Sequence, residues 1–99
     1  MDLGTAIKDQ RKNRGLTQQE FAASCDITQT YLSQIENNQK EPNLSTLKVI
    51  SEKLDLPLPF LFFLSLSEDD VKTEKREAYK MISPSVKAFV DEFFKVSEK

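Results

Sequence analysis

Apolar side chains recur every three or four residues along most of the chain, which predicts a succession of short amphipathic helices. A first helix is predicted over residues 2–14, because Arg14 and then Gly15 place a cation in the last turn before a residue free to adopt positive φ. Thr17 stands three residues before Glu20. This is the spacing of a capping box, so a second helix is predicted to begin there.

Capping residues also predict the next three helices. Thr28 is a good N-cap, and apolar residues follow it with a helical period, which places a third helix at about Thr28 to Asn37. Asn43 caps a fourth helix. Pro59 suits the first turn of a fifth helix, which carries the apolar run from Phe60 to Leu64. Because that run is apolar all round, it is expected to be fully buried.

The pattern changes after residue 65. Ser67 to Asp70 resemble a new helix start, because a serine cap precedes acids that the helix dipole favours. Ser83 and Pro84 predict that the chain restarts once more. Residues 84–97 then form the clearest amphipathic helix, with an apolar stripe of Val86, Phe89, Val90, Phe93 and Phe94. We therefore expect an all-α fold, with a five-helix head (residues 1–66) and a helical tail (residues 67–99).

Composition supports a small folded protein. The chain has 99 residues, which fits one domain or one small domain with an appendage. Hydrophobic residues make up 38% and charged residues 30%, a globular balance, and only two glycines argue against a turn-rich β fold. At this length the stability supplied by a single hydrophobic core is marginal. A helical bundle, or a core completed by dimerisation, is therefore favoured.

Several function classes are disfavoured by what the sequence lacks. Cys25 is the single cysteine, which excludes an intramolecular disulfide and favours the reducing cytoplasm; we interpret it as a core residue. The chain contains no histidine and no glycine-rich phosphate loop. We therefore expect no enzyme activity, metal site, cofactor or small-molecule ligand. The longest apolar run is about half the roughly 20 residues of a membrane helix, so no membrane partner is expected.

Charge alone does not favour a nucleic-acid partner. The formal net charge is -2, whereas DNA-binding domains are usually basic. Any DNA binding must therefore depend on local clustering of cations. Lys8, Lys12 and Arg14 fit either a phosphate-facing patch or an ordinary surface.

The informative block is Thr17 to Asn37, where two short helices are joined by a tight turn. Small Ala22 faces the partner helix, and apolar contacts fix the angle between the helices as a helix-turn-helix requires; they come from Cys25, Ile27, Leu32 and Ile35. The outer face of the second helix is a row of uncharged polar side chains: Gln29, Thr30, Ser33, Gln34 and Asn37. Glutamine and asparagine can each form two hydrogen bonds with adenine in the major groove.

The run LTQQEFAASCDITQTYLSQIENN, which begins at Leu16, resembles the phage Cro/repressor-type helix-turn-helix regulators, also called the xenobiotic-response-element type. The segments KEPNLSTL, from Lys40, and LDLP, from Leu54, match the fourth and fifth helices of that lambda-repressor-like fold. The resemblance covers about residues 3–64. Two positions depart from the family pattern, because Asp26 stands where glycine is usual and Gln10 where leucine is common. Aspartate tolerates the left-handed backbone conformation that the turn needs.

The resemblance implies a role for individual residues. Gln18 would bind a phosphate, and Asn37 and Lys40 would hold the DNA backbone on the far side. Thr28 is first a helix cap and second a phosphate ligand. The base-reading residues would be Gln29, Thr30 and Gln34, with Ser33 on the same outer face. A structural ion pair between Arg11 and Glu36 would tie the first helix to the recognition helix.

The leading hypothesis is a sequence-specific transcriptional regulator of double-stranded DNA, a repressor that binds an inverted-repeat operator as a homodimer joined through the tail. The alternative for the dimer is that the tail folds back on its own head and the fifth helix alone makes the contact. One alternative keeps the fold and makes the protein an antitoxin or a restriction-modification controller. A neighbouring toxin or nuclease gene distinguishes that case. The other alternative is a protein-interaction module without DNA binding, which low net charge favours.

Overall fold

The computed structural model describes residues 1–94, and within them it is helical and contains no strand. The α-helices are α1 (Leu3–Asn13), α2 (Gln18–Ser24), α3 (Gln29–Glu36), α4 (Leu44–Lys53), α5 (Leu58–Ser65) and α6 (Arg76–Phe94). Two short 3₁₀ turns, Glu68–Asp70 and Thr73–Lys75, precede α6. The prediction of an all-α fold is confirmed. In this described part, no helix has the length and apolar character needed to cross a membrane.

Side chains cap the N-termini of α1, α2, α3 and α4. The hydroxyl oxygens of Thr17 and Thr28 each accept a hydrogen bond of 3.0 Å from the backbone N–H three residues on. The side chain of Asn43 does the same for Thr46 at 2.9 Å. The carboxylate of Glu20 accepts a bond from the N–H of Thr17, which completes the predicted capping box. The sequence thus fixes three helix starts to within a residue.

Four helices end on a residue with a left-handed backbone. These residues are Gly15, Asp26, Asn38 and Asp55, with φ of 70°, 60°, 59° and 53°. In each case two backbone N–H groups return to carbonyls of the last turn, the arrangement called a Schellman motif. Aspartate and asparagine enter this conformation more readily than other side chains. The expectation that Asp26 replaces the usual glycine in the turn is therefore met.

The core lies between α1, α3 and α5, with α2 packed on α3 and α4 packed on α5. Its fully enclosed side chains are Ile7, Phe21, Leu32, Ile35, Ile50, Leu54, Leu61 and Val90. The expectation that the run from Phe60 to Leu64 is fully buried is wrong, because only Leu61 is buried and its neighbours are half-buried. A head of this size cannot enclose every side of α5, and some of these side chains face α6 instead.

From Arg76 to Phe94 the tail forms one continuous helix through Pro84, so the predicted restart at Ser83 is wrong. Proline removes one backbone donor, and here Pro84 lies on an exposed side of the helix where water can satisfy the freed carbonyl. Buried Ser83 and Val90 hold the helix against the head on both sides of the proline. Residues 95–97 of the predicted helix lie outside the described part of the chain.

α6 lies back on its own head. The Tyr79 hydroxyl donates to the carbonyl of Leu66 at 2.9 Å, and Arg14 donates to the carbonyl of Phe94 at 2.8 Å. The Phe60 ring lies 5.7 Å from the ring of Phe89 and 5.1 Å from that of Phe94. α6 therefore packs against part of α5 and reaches the end of α1.

Candidate nucleic-acid interface

The two helices α2 and α3 are joined by a tight turn through Asp26. Phe21 and Ala22 of α2 are buried in the same core as Leu32 and Ile35 of α3, which fixes the angle between the helices. Cys25 is also buried there, and burial raises the pKa of its thiol. A protonated, enclosed thiol fits the predicted core role and not a reactive one.

Polar side chains of this unit line a shallow concavity of about 390 Å³. Its lining residues are Gln18, Gln29, Thr30, Ser33, Gln34 and Gln39. Gln18, Ser33 and Gln34 are half-buried, whereas Gln29, Thr30 and Gln39 are exposed. All six are uncharged amides or hydroxyls that can both donate and accept hydrogen bonds. Five of the eight predicted site residues therefore meet on one surface.

A buried ion pair holds Gln18, one of the residues that line this concavity. The Arg11 guanidinium donates to both carboxylate oxygens of Glu36, at 2.7 and 3.0 Å, and to the carbonyl of Leu16 at 2.7 Å. The side chains of Arg11 and Glu36 are only 6% and 1% exposed. Gln18 donates its side-chain amide to Glu36 at 3.0 Å. The predicted pairing of Arg11 and Glu36 is present, and it also holds Gln18 in place.

The other three predicted site residues do not line the concavity. The Thr28 hydroxyl is occupied as a helix cap. Asn37, the C-cap of α3, is exposed and makes a long contact of 3.5 Å with the Ser33 hydroxyl. Lys40 is exposed in the loop that follows. These positions suit contacts with the DNA backbone, a role that stays a prediction.

Gln39 also lines the concavity, although the helical pattern of the sequence does not predict it. The left-handed backbone at Asn38 reverses the chain, and the N–H of Gln39 then donates to the carbonyl of Gln34 at 2.8 Å. This brings the Gln39 side chain back to the concavity. The signal was an asparagine at the end of a helix, because asparagine is the commonest substitute for glycine in this motif.

The candidate cations differ in availability. Arg14 donates to the backbone carbonyl and the side chain of Gln10 and to Phe94, so it belongs to the contact between α1 and the tail. Burial there lowers the pKa of the Arg14 guanidinium. Gln10, at a position where the family commonly has leucine, is buried as the partner of this arginine. Lys12 and Lys40 are exposed and Lys8 is half-buried, and within residues 1–94 none of them forms an ion pair.

Two capped helices that are locked at a fixed angle, with polar side chains along the outer face of the second, define a helix-turn-helix. The family model described as helix-turn-helix matches residues 7–61, which is more than half of the chain. The protein therefore belongs to the helix-turn-helix family, and the predicted resemblance is confirmed.

Curated relatives carry names that agree with this family. The chain is 42% identical over 59 residues to the ImmF control region 10 kDa protein of Bacillus phage phi105, covering 60% of this chain and 66% of that one. It is 38% identical over 56 residues to the immunity repressor protein of the same phage, covering 57% and 39%. The HTH-type transcriptional regulator ImmR of Bacillus subtilis is 30% identical over 94 residues, covering 93% and 71%. The chain thus spans less than two thirds of the first two relatives.

Proposed function

We propose that this protein is a sequence-specific double-stranded DNA-binding transcriptional regulator that acts in the cytoplasm as a repressor. The observation that carries the proposal is the concavity of amide and hydroxyl side chains on α2, α3 and the turn after α3. A neutral surface of this kind suits base edges in the major groove, which present donors and acceptors and not net charge. The relative named as an immunity repressor supports the direction of regulation.

Gln29 and Gln34 are proposed to carry base specificity. They stand five residues apart on α3, and both line the concavity. Replacing either with alanine is expected to weaken binding at the preferred site by about 1–3 kcal/mol and to relax base preference there, because the unpaired base edge loses two hydrogen bonds. Titration of labelled duplexes with every base at each site position measures both effects.

Gln19→Ala is the matched control for these two variants. Gln19 is an exposed glutamine on α2 that does not line the concavity, so its loss should leave base preference unchanged. If Gln29→Ala and Gln34→Ala both retain the affinity and the base preference of the Gln19→Ala protein, the assignment of these residues is wrong.

Contacts with phosphate are proposed to be few. Because Arg14 is engaged by Gln10 and Phe94, the available cations are Lys8, Lys12 and Lys40. Gln18 and Asn37 are proposed to donate neutral hydrogen bonds to phosphate, which release counterions less directly than a lysine does.

This arrangement predicts a shallow salt dependence. Each neutralised phosphate contributes about -0.9 to the slope of log K against log salt, so a dimer with two or three cations per subunit should give about -4 to -5. Binding measured over a series of potassium chloride concentrations tests this expectation. A slope steeper than about -9 would reveal a basic surface that the proposal lacks. An Arg14→Gln variant should leave the slope unchanged.

We further propose that the regulator binds as a homodimer to an inverted repeat. A two-fold pair of helix-turn-helix heads places its recognition helices about 34 Å apart, which matches half-sites one DNA turn apart. The tail (residues 67–99) is proposed to supply the dimer contact. Of the stripe expected to pair, Val86, Val90 and Phe94 instead face the head, which leaves Phe89 and Phe93 more exposed.

A further inference from the structure

α6 carries a second apolar side that its own head does not cover. Met81, Ile82, Phe89 and Phe93 are 78%, 55%, 43% and 69% exposed, and they account for most of the large apolar side chains exposed in residues 1–94. Together with the exposed small residues Ala78 and Ser85 they form what we call the outer stripe. At about 100° per residue these six positions lie within roughly a third of the helix circumference.

The outer stripe is large enough to matter energetically. It runs from residue 78 to residue 93, about 22 Å along the helix. Phe89 and Phe93 stack with ring centroids 4.6 Å apart, and Phe89 also touches half-buried Phe60 of α5, so the apolar surface continues onto the head. Four large apolar side chains exposed on one side of one helix are more than soluble monomers usually leave uncovered together.

The order of side-chain sizes favours a second copy of the same helix. Ser85 lies in the middle of the outer stripe, with larger side chains on either side at Ile82 and Phe89. In an antiparallel pair centred near Ser85, Phe89 of one copy lies beside Met81 and Ile82 of the other, and small Ala78 lies beside large Phe93. The two phenylalanines of the outer stripe therefore lie against smaller side chains. The six stripe residues are uncharged. Glu92 lies in the same third of the circumference and, in this pair, beside Ala78 of the other copy near the end of the interface, where its carboxylate can remain in water.

We infer that the outer stripe is the homodimer surface, on which α6 of a second copy lies antiparallel with Ser85 near the two-fold axis. This inference rests on the proposed dimeric regulator and specifies which face of the tail makes the dimer. The inner side of α6 stays on its own head, where Val90 is buried and Arg14 binds the carbonyl of Phe94. Dimerisation then needs no release of the tail.

Cysteine cross-linking tests the position and direction of the pair. Ser85→Cys should form a disulfide-linked dimer on mild oxidation, because cysteines can be bridged when their Cα atoms lie within about 7 Å. Ala78→Cys is the matched control on the same stripe. In the antiparallel pair its two copies lie about 20 Å apart along the helices, so it should not cross-link. Wild-type protein, with Cys25 buried, gives the background.

Each remaining outcome overturns the inference in a defined way. Equal cross-linking through Ala78→Cys and Ser85→Cys means a parallel pair. A solution dimer in which Ser85→Cys does not cross-link means that another face is used, and a monomer at tens of micromolar means that no second copy binds.

A charge variant gives an independent readout. Ile82→Glu should raise the dimer dissociation constant at least tenfold in sedimentation experiments without DNA, while helix content is unchanged because Ile82 is exposed. Leu44→Glu on α4 is the control, since Leu44 is 56% exposed and lies outside the outer stripe. Equal dimerisation of the two variants would contradict the inference. If the Ile82→Glu protein still dimerises and still binds DNA, the proposed interface is wrong and the proposed function stands. If the Ser85→Cys protein forms the cross-linked dimer but binds no duplex, the proposed function is wrong and the interface stands.

Discussion

Replacement of Glu36 by alanine is expected to lower the free energy of unfolding by about 3–5 kcal/mol. The Arg11 side chain is only 6% exposed, and without Glu36 its charge would stay buried with one remaining acceptor, the carbonyl of Leu16. Gln18 would also lose its partner, at a distance of 3.0 Å. Urea unfolding followed by circular dichroism at one protein concentration measures the loss.

A double variant separates the cost of an orphaned charge from the worth of the pair. Arg11→Met combined with Glu36→Leu removes both charges and fills the space with apolar atoms, which is often neutral for buried pairs. We expect it to lose far less stability than Glu36→Ala alone. A loss below about 1 kcal/mol for Glu36→Ala would show that the ion pair does not hold α1 to α3.

Gly4→Ala is expected to destabilise the protein by about 3 kcal/mol, through overpacking against backbone. A Cβ at Gly4 would lie 2.5 Å from the carbonyl oxygen of Ile35 and 2.7 Å from that of Glu36. These atoms belong to the end of the recognition helix and cannot rotate away. The N–H of Gly4 also donates to the Asn38 side chain at 3.0 Å, which ties α1 to the turn after α3.

The sign of the stability change caused by Gly4→Ala shows whether α1 packs closely against the end of α3. In an ordinary helix, replacing glycine by alanine stabilises by about 0.5–1 kcal/mol. Thr5→Ala, at the exposed neighbouring position, is the control and should be close to neutral. If thermal unfolding shows that Gly4→Ala is as stable as the wild type, α1 does not approach α3 as closely as described. The variant should also weaken DNA binding, because α1 must move relative to the recognition helix.

The head could be predicted almost residue by residue because its helix ends are encoded locally. The predicted N-caps Thr17, Thr28 and Asn43 are the N-caps in the structure, and Gly15 follows the end of α1 as predicted. The tail could not be predicted in this way. Pro84 predicts the end of a helix from its local effect on the backbone. In the structure α6 continues past Pro84, because Ser83 and Val90 are buried against the head on either side of it.

Site residues can be predicted from the sequence where the helical pattern alone brings them to the surface of α3. They cannot be predicted where distant parts of the fold determine their position. Glutamines on the outer face of α3 follow from helical periodicity. Gln39 reaches the concavity only through the left-handed turn at Asn38. Arg14 resembles a surface cation in the sequence, but the returning tail engages it through the carbonyl of Phe94. Periodicity likewise shows that α6 is apolar without showing which of its sides the head covers.

Sequence-specific recognition by α3 can be tested by selecting bound duplexes from a random pool. We expect enrichment of one inverted repeat whose half-sites are centred about 10 base pairs apart. Within each half, the positions that Gln29→Ala and Gln34→Ala relax should be those most sharply defined for the wild type. A wild-type protein that enriches no sequence would contradict the assignment as a sequence-specific regulator, and one that enriches a single half-site without symmetry would contradict the dimer.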